Sequence, residues 1–232
     1  MSGPVAGKAL RQQVLDCLHR PNVEDAIAAL SGQVPHRRLL RPLLSFIRSD
    51  DLQLRHRAAA AMGYVTAIIA ETDLEAARDV VRRLLLSLTE ESGGIGWGSP
   101  EALGEILARH ERLSVEFAHI LLSYACIDEE NYLDHEPLQR GVLWGLARLA
   151  QVRPDQLIQQ GATTCLLPHL RSHDATIRAL AARTVALLGI ADESSPEWKA
   201  ILEDSSEVRV YIEDRLVDCR VGDLVGGTLH TP

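Results

Sequence analysis

The chain has 232 residues, 46% of them hydrophobic but only 4% aromatic, with 24 basic and 32 acidic side chains and a formal charge of −8. That length can bury a substantial core, a Leu/Ala/Val/Ile bias suits helices packed closely on helices, and the acidic balance argues against a protein built mainly to hold nucleic acid. No run of about 18 apolar residues occurs, so no membrane insertion is expected; the opening "MSGPVAGKALRQQ" lacks the apolar core of a secretory signal, which makes the cytoplasm the expected compartment.

Helical spacing of apolar residues predicts a first pair at about 5–19 and 22–31, an amino-terminal helical cap within 1–35. Further pairs follow at 36–48 with 54–70, 73–90 with 99–110, 114–127 with 137–151, and 154–171 with 175–190. Pro42 and Pro168 should bend or shorten their helices. Pro100 and Pro137 fit first turns, where the missing N–H costs nothing, and Ser99 reads as an N-cap. Beyond 190 the period changes to two. Val208, Val210 and Ile212, then Leu216, predict a β-hairpin around the charged turn Glu213-Asp214-Arg215, with a helical turn after it. Residues 191–232 therefore read as a C-terminal cap over the apolar end that a repeat array exposes.

The pairs share a register. Gly63, Gly104, Gly145 and Ala186 recur at a spacing of 41, and Met62, Leu103, Trp144 and Val185 each stand one position earlier. A small residue fixed beside a large one marks a contact repeated from unit to unit, and it places Trp144 in the core. The expected fold is an all-α solenoid with four helix pairs over 36–190 and a small C-terminal hairpin.

"DLQLRHRAAAAMGYV" and "HDATIRALAARTVALLG" each carry an acidic turn, then Leu54-Arg55 or Ile177-Arg178, then small and apolar residues. These stretches resemble HEAT-repeat proteins, especially the short type named after the phycobilisome-lyase HEAT-like repeat, and 91–150 looks like a small bacterial HEAT-like family with no assigned activity. The middle repeats lack the signature arginine. The resemblance implies an α-solenoid whose second helices line a concave side. There Arg57 and Tyr64, then Glu101, Glu105 and Arg109, then Val142 and Leu146, and Arg183, together with Trp97, are the candidate partner-binding residues. They would give an aromatic and acidic rim over an apolar floor, although the apolar members are equally readable as contacts between repeats.

The glycine-rich stretch "ESGGIGWGSPEALGEI" (91–106) tests for a phosphate loop. The dinucleotide fingerprint lacks its third glycine, the Walker pattern lacks its lysine, and a helix rather than a strand precedes it. A turn between antiparallel helices, plugged by Trp97, is the simpler reading. The same geometry would let Gly94, Gly96, Gly98 and Ser99 hold an anion at a helix start. His135-Glu136 resembles half of the di-iron motif of deoxyhypusine hydroxylase, a HEAT-like enzyme, but no second His-Glu pair exists. No catalytic residues, metal or cofactor are therefore assigned. Arg37, Arg38, Arg41, Arg55 and Arg57 form the most basic region, but carboxylates interleave with them as on an ordinary solvated surface. The cysteines at 17, 126, 165 and 219 include no CxxC motif and are expected as reduced core thiols. The leading expectation is a non-catalytic scaffold that binds a protein or peptide on its concave face. The alternatives are an enzyme or small-ligand protein (anion or metal) centred on 93–98 with Glu101 and Glu105, and third a nucleic-acid binder. The oligomeric state is left open.

Overall fold

A computed structural model describes residues 4–89 and 96–225. Among these residues the chain is all-α apart from one hairpin, and it belongs to the helical-repeat, α-solenoid class. It divides into two compact units, Met1–Leu113 and Ser114–Pro232.

The first unit holds α1 (Pro4–Leu18), α2 (Val23–Ser31), α3 (His36–Phe46), α4 (Leu52–Thr72), α5 (Leu74–Thr89) and α6 (Ser99–Arg109). Asn22 and Asp51 cap α2 and α4 by accepting backbone N–H bonds from Asp25 and Leu54, which satisfies donors that every helix start leaves orphaned. Pro42 does not break its helix. Its ring is buried and α3 runs on to Phe46. Gly63 shows why the register exists: a Cβ there would come within 2.7 Å of the Glu105 Cβ, so α4 and α6 touch backbone to backbone at this column.

The second unit holds α7 (Glu111–Ser123), which begins at the boundary, then α8 (Glu136–Ala150), α9 (Pro154–Gln159), α10 (Ala162–Leu166), a 3₁₀ segment Leu167–Arg171, α11 (Ala175–Leu188), α12 (Pro196–Leu202), strands β1 (Glu207–Ile212) and β2 (Arg215–Arg220), and α13 (Val221–Val225). The helix expected over 154–171 is in three pieces. Gly161 takes a φ of +87°, which favours glycine, and Pro168 lacks the N–H that would continue α10. Thr184 Oγ1 lies 3.5 Å from the Leu143 carbonyl, its own register mate one repeat earlier. Ala186 closes the small-residue column and is exposed, because no further second helix presses on it. Met62, Leu103, Trp144 and Val185 are all buried.

The hairpin forms where alternation predicts it. Val210 pairs with Val217 and Ile212 with Arg215. Glu213 and Asp214 take φ of 49° and 63°, the pair of positive values that a two-residue hairpin turn requires. Val208 and Val210 are buried on one face of β1, and Tyr211, on the other face, is buried too. The Trp144 indole donates to the Tyr211 carbonyl at 2.8 Å, so β1 covers the end of the last repeats.

One expectation about the thiols is corrected. Cys126 and Cys165 form a disulfide that ties the turn after α7 to α10, while Cys17 and Cys219 are free and half-buried. The same turn is held by His169 Nε2 at 2.7 Å from the Ala125 carbonyl and by the Gln139 amide donating to the Tyr124 carbonyl at 2.6 Å.

Candidate functional site

The signature turns fold by one scheme. In the first unit the Ser49 hydroxyl accepts from the Asp51 N–H at 3.2 Å, Asp51 accepts from the Leu54 N–H at 3.0 Å, and Arg55 Nε donates back to the Ser49 carbonyl at 3.0 Å. Three repeat lengths further on, the Ser172 hydroxyl accepts from the Asp174 N–H at 3.2 Å and Asp174 accepts from the Ile177 N–H at 2.9 Å. Arg178 Nη1 donates to the Ser172 carbonyl at 2.8 Å. The arginine of the resemblance thus closes the turn that precedes each helix.

The two guanidinium groups then diverge. Arg178 Nε donates to Asp204 Oδ2 at 2.8 Å, its Nη2 reaches the same oxygen at 2.7 Å, and Nη2 also donates to the Ser206 hydroxyl at 3.1 Å. Arg55 instead lies over the Trp97 ring, 5.4 Å from its centre. Beside it, Glu101 in the first turn of α6 is only 4% exposed, and its Oε2 has no hydrogen-bond partner. Burial pushes the Glu101 carboxyl above the usual carboxylate range, against the opposing pull of its own backbone N–H and of Arg55. The Trp97 indole N–H is also buried and without a partner. Burial and the Arg55 guanidinium hold the His56 imidazole down to about 3.

Gly94 lies outside the described residues. Gly96 and Gly98 are packing positions. A Cβ at Gly96 would meet the Ser87 carbonyl oxygen at 2.7 Å, and one at Gly98, where φ is +74°, would meet the Ile47 carbonyl oxygen at 2.0 Å. Both glycine faces see carbonyl oxygen, which repels an anion. Ser99 is not the N-cap. Gly98 takes that place, and the buried Ser99 hydroxyl pairs with Ser87 Oγ at 2.8 Å.

The other candidates separate by exposure. Arg57 and Tyr64 are half-buried on α4, with Arg57 Nη1 donating to the Leu18 carbonyl at 3.2 Å. Glu105 is buried and accepts from Arg109 Nε at 3.2 Å, while Arg109 Nη1 donates to Glu24 at 2.9 Å. Residues Leu18 and Glu24 belong to α1 and α2, so the amino-terminal pair lies over part of this face. In the second unit Val142 and Leu146 are fully buried core residues. Arg183 is half-buried; burial lowers its proton affinity, and Glu213 in the hairpin turn opposes that. Among the described residues no cluster of three metal-ligating side chains occurs, and no helix is long and apolar enough to cross a membrane. The sequence reading missed a cleft of about 480 Å³ in the second unit, lined by Leu167, Pro168, Ile190 and Trp198 with Arg171 and Glu197 at its edge. Its lining comes from the fragmented helix, the segment after α11, and α12; periodicity shows neither the break-up of 154–171 nor α12.

No family model and no curated protein sequence matches the chain. Solved structures do. One engineered protein superposes with a TM-score of 0.50 at 16% identity, over 86% of this chain and 90% of that one. Another gives 0.49 at 17% identity, over 79% and 72%. A computationally designed armadillo repeat protein for modular peptide recognition gives 0.49 at 16% identity, over 85% and 93%. At such identities the likeness concerns the fold alone.

Proposed function

We propose that the protein is a non-catalytic helical-repeat scaffold, of the short bacterial HEAT-like type its signature turns resemble, that docks a protein or peptide along α4. The observation that carries this reading is a stripe at helical spacing, Arg57, Ala60, Tyr64 and Ile68, that stays half-exposed over 56–70, where every other residue but Ala67 is buried. Tyrosine and arginine are the residue types that anchor protein interfaces, since each offers a large apolar surface with a polar tip. A photo-crosslinking phenylalanine in place of Tyr64 should capture a discrete partner in the native cell. The same probe in place of exposed Arg83 on α5 should not. Identical capture patterns at both positions reject the reading.

A cytoplasmic setting is part of the proposal, and Cys126–Cys165 tests it. Reducing thiol pools keep such pairs open. Alkylation of both thiols during rapid quenching of native cells supports the cytoplasm; an intact cross-link places the chain in an oxidising compartment.

A further inference from the structure

We infer that Arg55, Trp97 and Glu101 form a binding site for the carboxylate group of a ligand. The inference is independent of whether α4 docks a partner. Its template lies in the molecule itself. Arg178 occupies the register position of Arg55, closes the same turn onto the equivalent serine carbonyl, and spends the rest of its fork on the carboxylate of Asp204. Arg55 spends Nε on the Ser49 carbonyl, and its two terminal nitrogens have no hydrogen-bond partner among the described residues. A planar guanidinium with two parallel N–H groups suits the two oxygens of a carboxylate, and a carboxylate is the group that the equivalent fork of Arg178 holds.

Among the described residues, the Trp97 ring and the first turn of α6 add further donors beside Arg55. The Trp97 indole N–H is buried and unused, and Arg55 stands against that ring. Glu101 is buried with Oε2 unpartnered, in a site that favours its neutral acid, so it offers an O–H to an incoming carboxylate. It sits in the first turn of α6, where the helix end attracts negative charge. Buried polar atoms left without partners cost free energy until something satisfies them. A bound carboxylate accepts from Arg55, from Trp97 and from the Glu101 acid at once. The glycines of the loop take no part, because their faces are closed by the Ser87 and Ile47 carbonyls.

The three tryptophans give three indole N–H resonances, and Trp97→Phe identifies the reporter. In the full chain, titration with sodium acetate should move the Trp97 signal saturably. The dissociation constant should be on the order of a millimolar, about −1 kcal/mol for each of four non-hydrogen atoms and within the ceiling for so small a ligand. Trp144, whose N–H already bonds the Tyr211 carbonyl, should stay still. Sodium chloride should produce no saturable shift, phosphate should bind more weakly than acetate if the site is built for the group that Arg178 holds, and Arg55→Gln should abolish the acetate response. Glu101→Gln, which keeps a donor, should retain it. Absence of a saturable Trp97 shift, phosphate binding as tight as acetate, or a response that survives in Arg55→Gln overturns the inference. So does a response that appears only in the double variant Glu90→Gln with Glu91→Gln, which would mean that the chain's own loop supplies the carboxylate. If Arg55→Gln does not fold, the wild-type acetate, phosphate and chloride titrations decide alone.

Discussion

Arg55 and Arg178 begin alike and end differently. Each closes a serine carbonyl at the start of a second helix, and each follows an aspartate that caps the same helix. Arg178 then clamps the segment after α12, so the last repeat is fastened from outside by Asp204, Ser206 and the hairpin. The first unit is fastened from inside, by backbones brought together at Gly63 and Gly98. One repeat signature thus serves two ends: it closes a turn in both places, and what its spare donors do depends on what the chain places next to them.

Four measurements can break or sharpen this contrast. The largest effect should come from the second unit. Reducing Cys126–Cys165, whose cysteines are 39 residues apart, should lower its stability by about 4 kcal/mol through the freedom returned to the unfolded loop. Hydrogen exchange should show that loss in the second unit and leave the amides of the first unchanged; equal losses in both would erase the distinction. Next, Gly98→Ala should destabilise the first unit by about 3 kcal/mol, because a Cβ would clash with the Ile47 carbonyl at a φ of +74°. A smaller cost in denaturant unfolding would mean that inside fastening is not tight.

The arginines themselves come third. Arg178→Met should cost about 2–3 kcal/mol, since it strands Asp204 in a pair that is only 18% and 14% exposed. Arg55→Met should cost about 1 kcal/mol or less, as it loses one backbone bond and a ring contact. Equal costs would show that Arg55 has a partner as strong as Asp204. The smallest effect is a pH dependence. The Glu101 acid is favoured on folding, so its contribution is full below about 4.5 and is lost as pH rises through its folded value. His56 works in the opposite sense. Held down to about 3 from an ordinary 6.5, it contributes fully above 6.5 and loses that contribution as pH falls toward 3. Glu101→Gln should raise stability at neutral pH by about 1 kcal/mol and leave the acid-side fall intact. A variant with the wild-type pH profile would show that Glu101 is already ionised and solvated.

The helices and the hairpin were legible because their signals are periodic. The 41-residue register of Gly63, Gly104 and Gly145 reports a contact that each repeat must make, and the alternation at 208–212 reports a strand that buries Val208 and Val210 on one face. Burial along the inner stripe was not legible. Val142 and Leu146 look the same in sequence whether a partner or the protein covers them, and Glu101 reads as a surface acid until α4 is laid against it. The disulfide left one faint sign. Cys126 and Cys165 are separated by nearly one repeat length, which brings neighbouring repeats into contact at matching places. No spacing rule distinguishes such a pair from two buried thiols. The break of 154–171 into three pieces follows from Gly161 adopting a positive φ, a choice that apolar spacing does not encode.

The cross-link also sets how far this chain can be drawn out under tension. Pulled from its ends, a repeat protein yields helix by helix, and its extension reports the number of residues released. The segment enclosed by Cys126 and Cys165 would stay folded back on itself, withholding roughly 130 Å of extended length at about 3.5 Å per residue. Oxidised and reduced chains would therefore behave as springs of two different lengths.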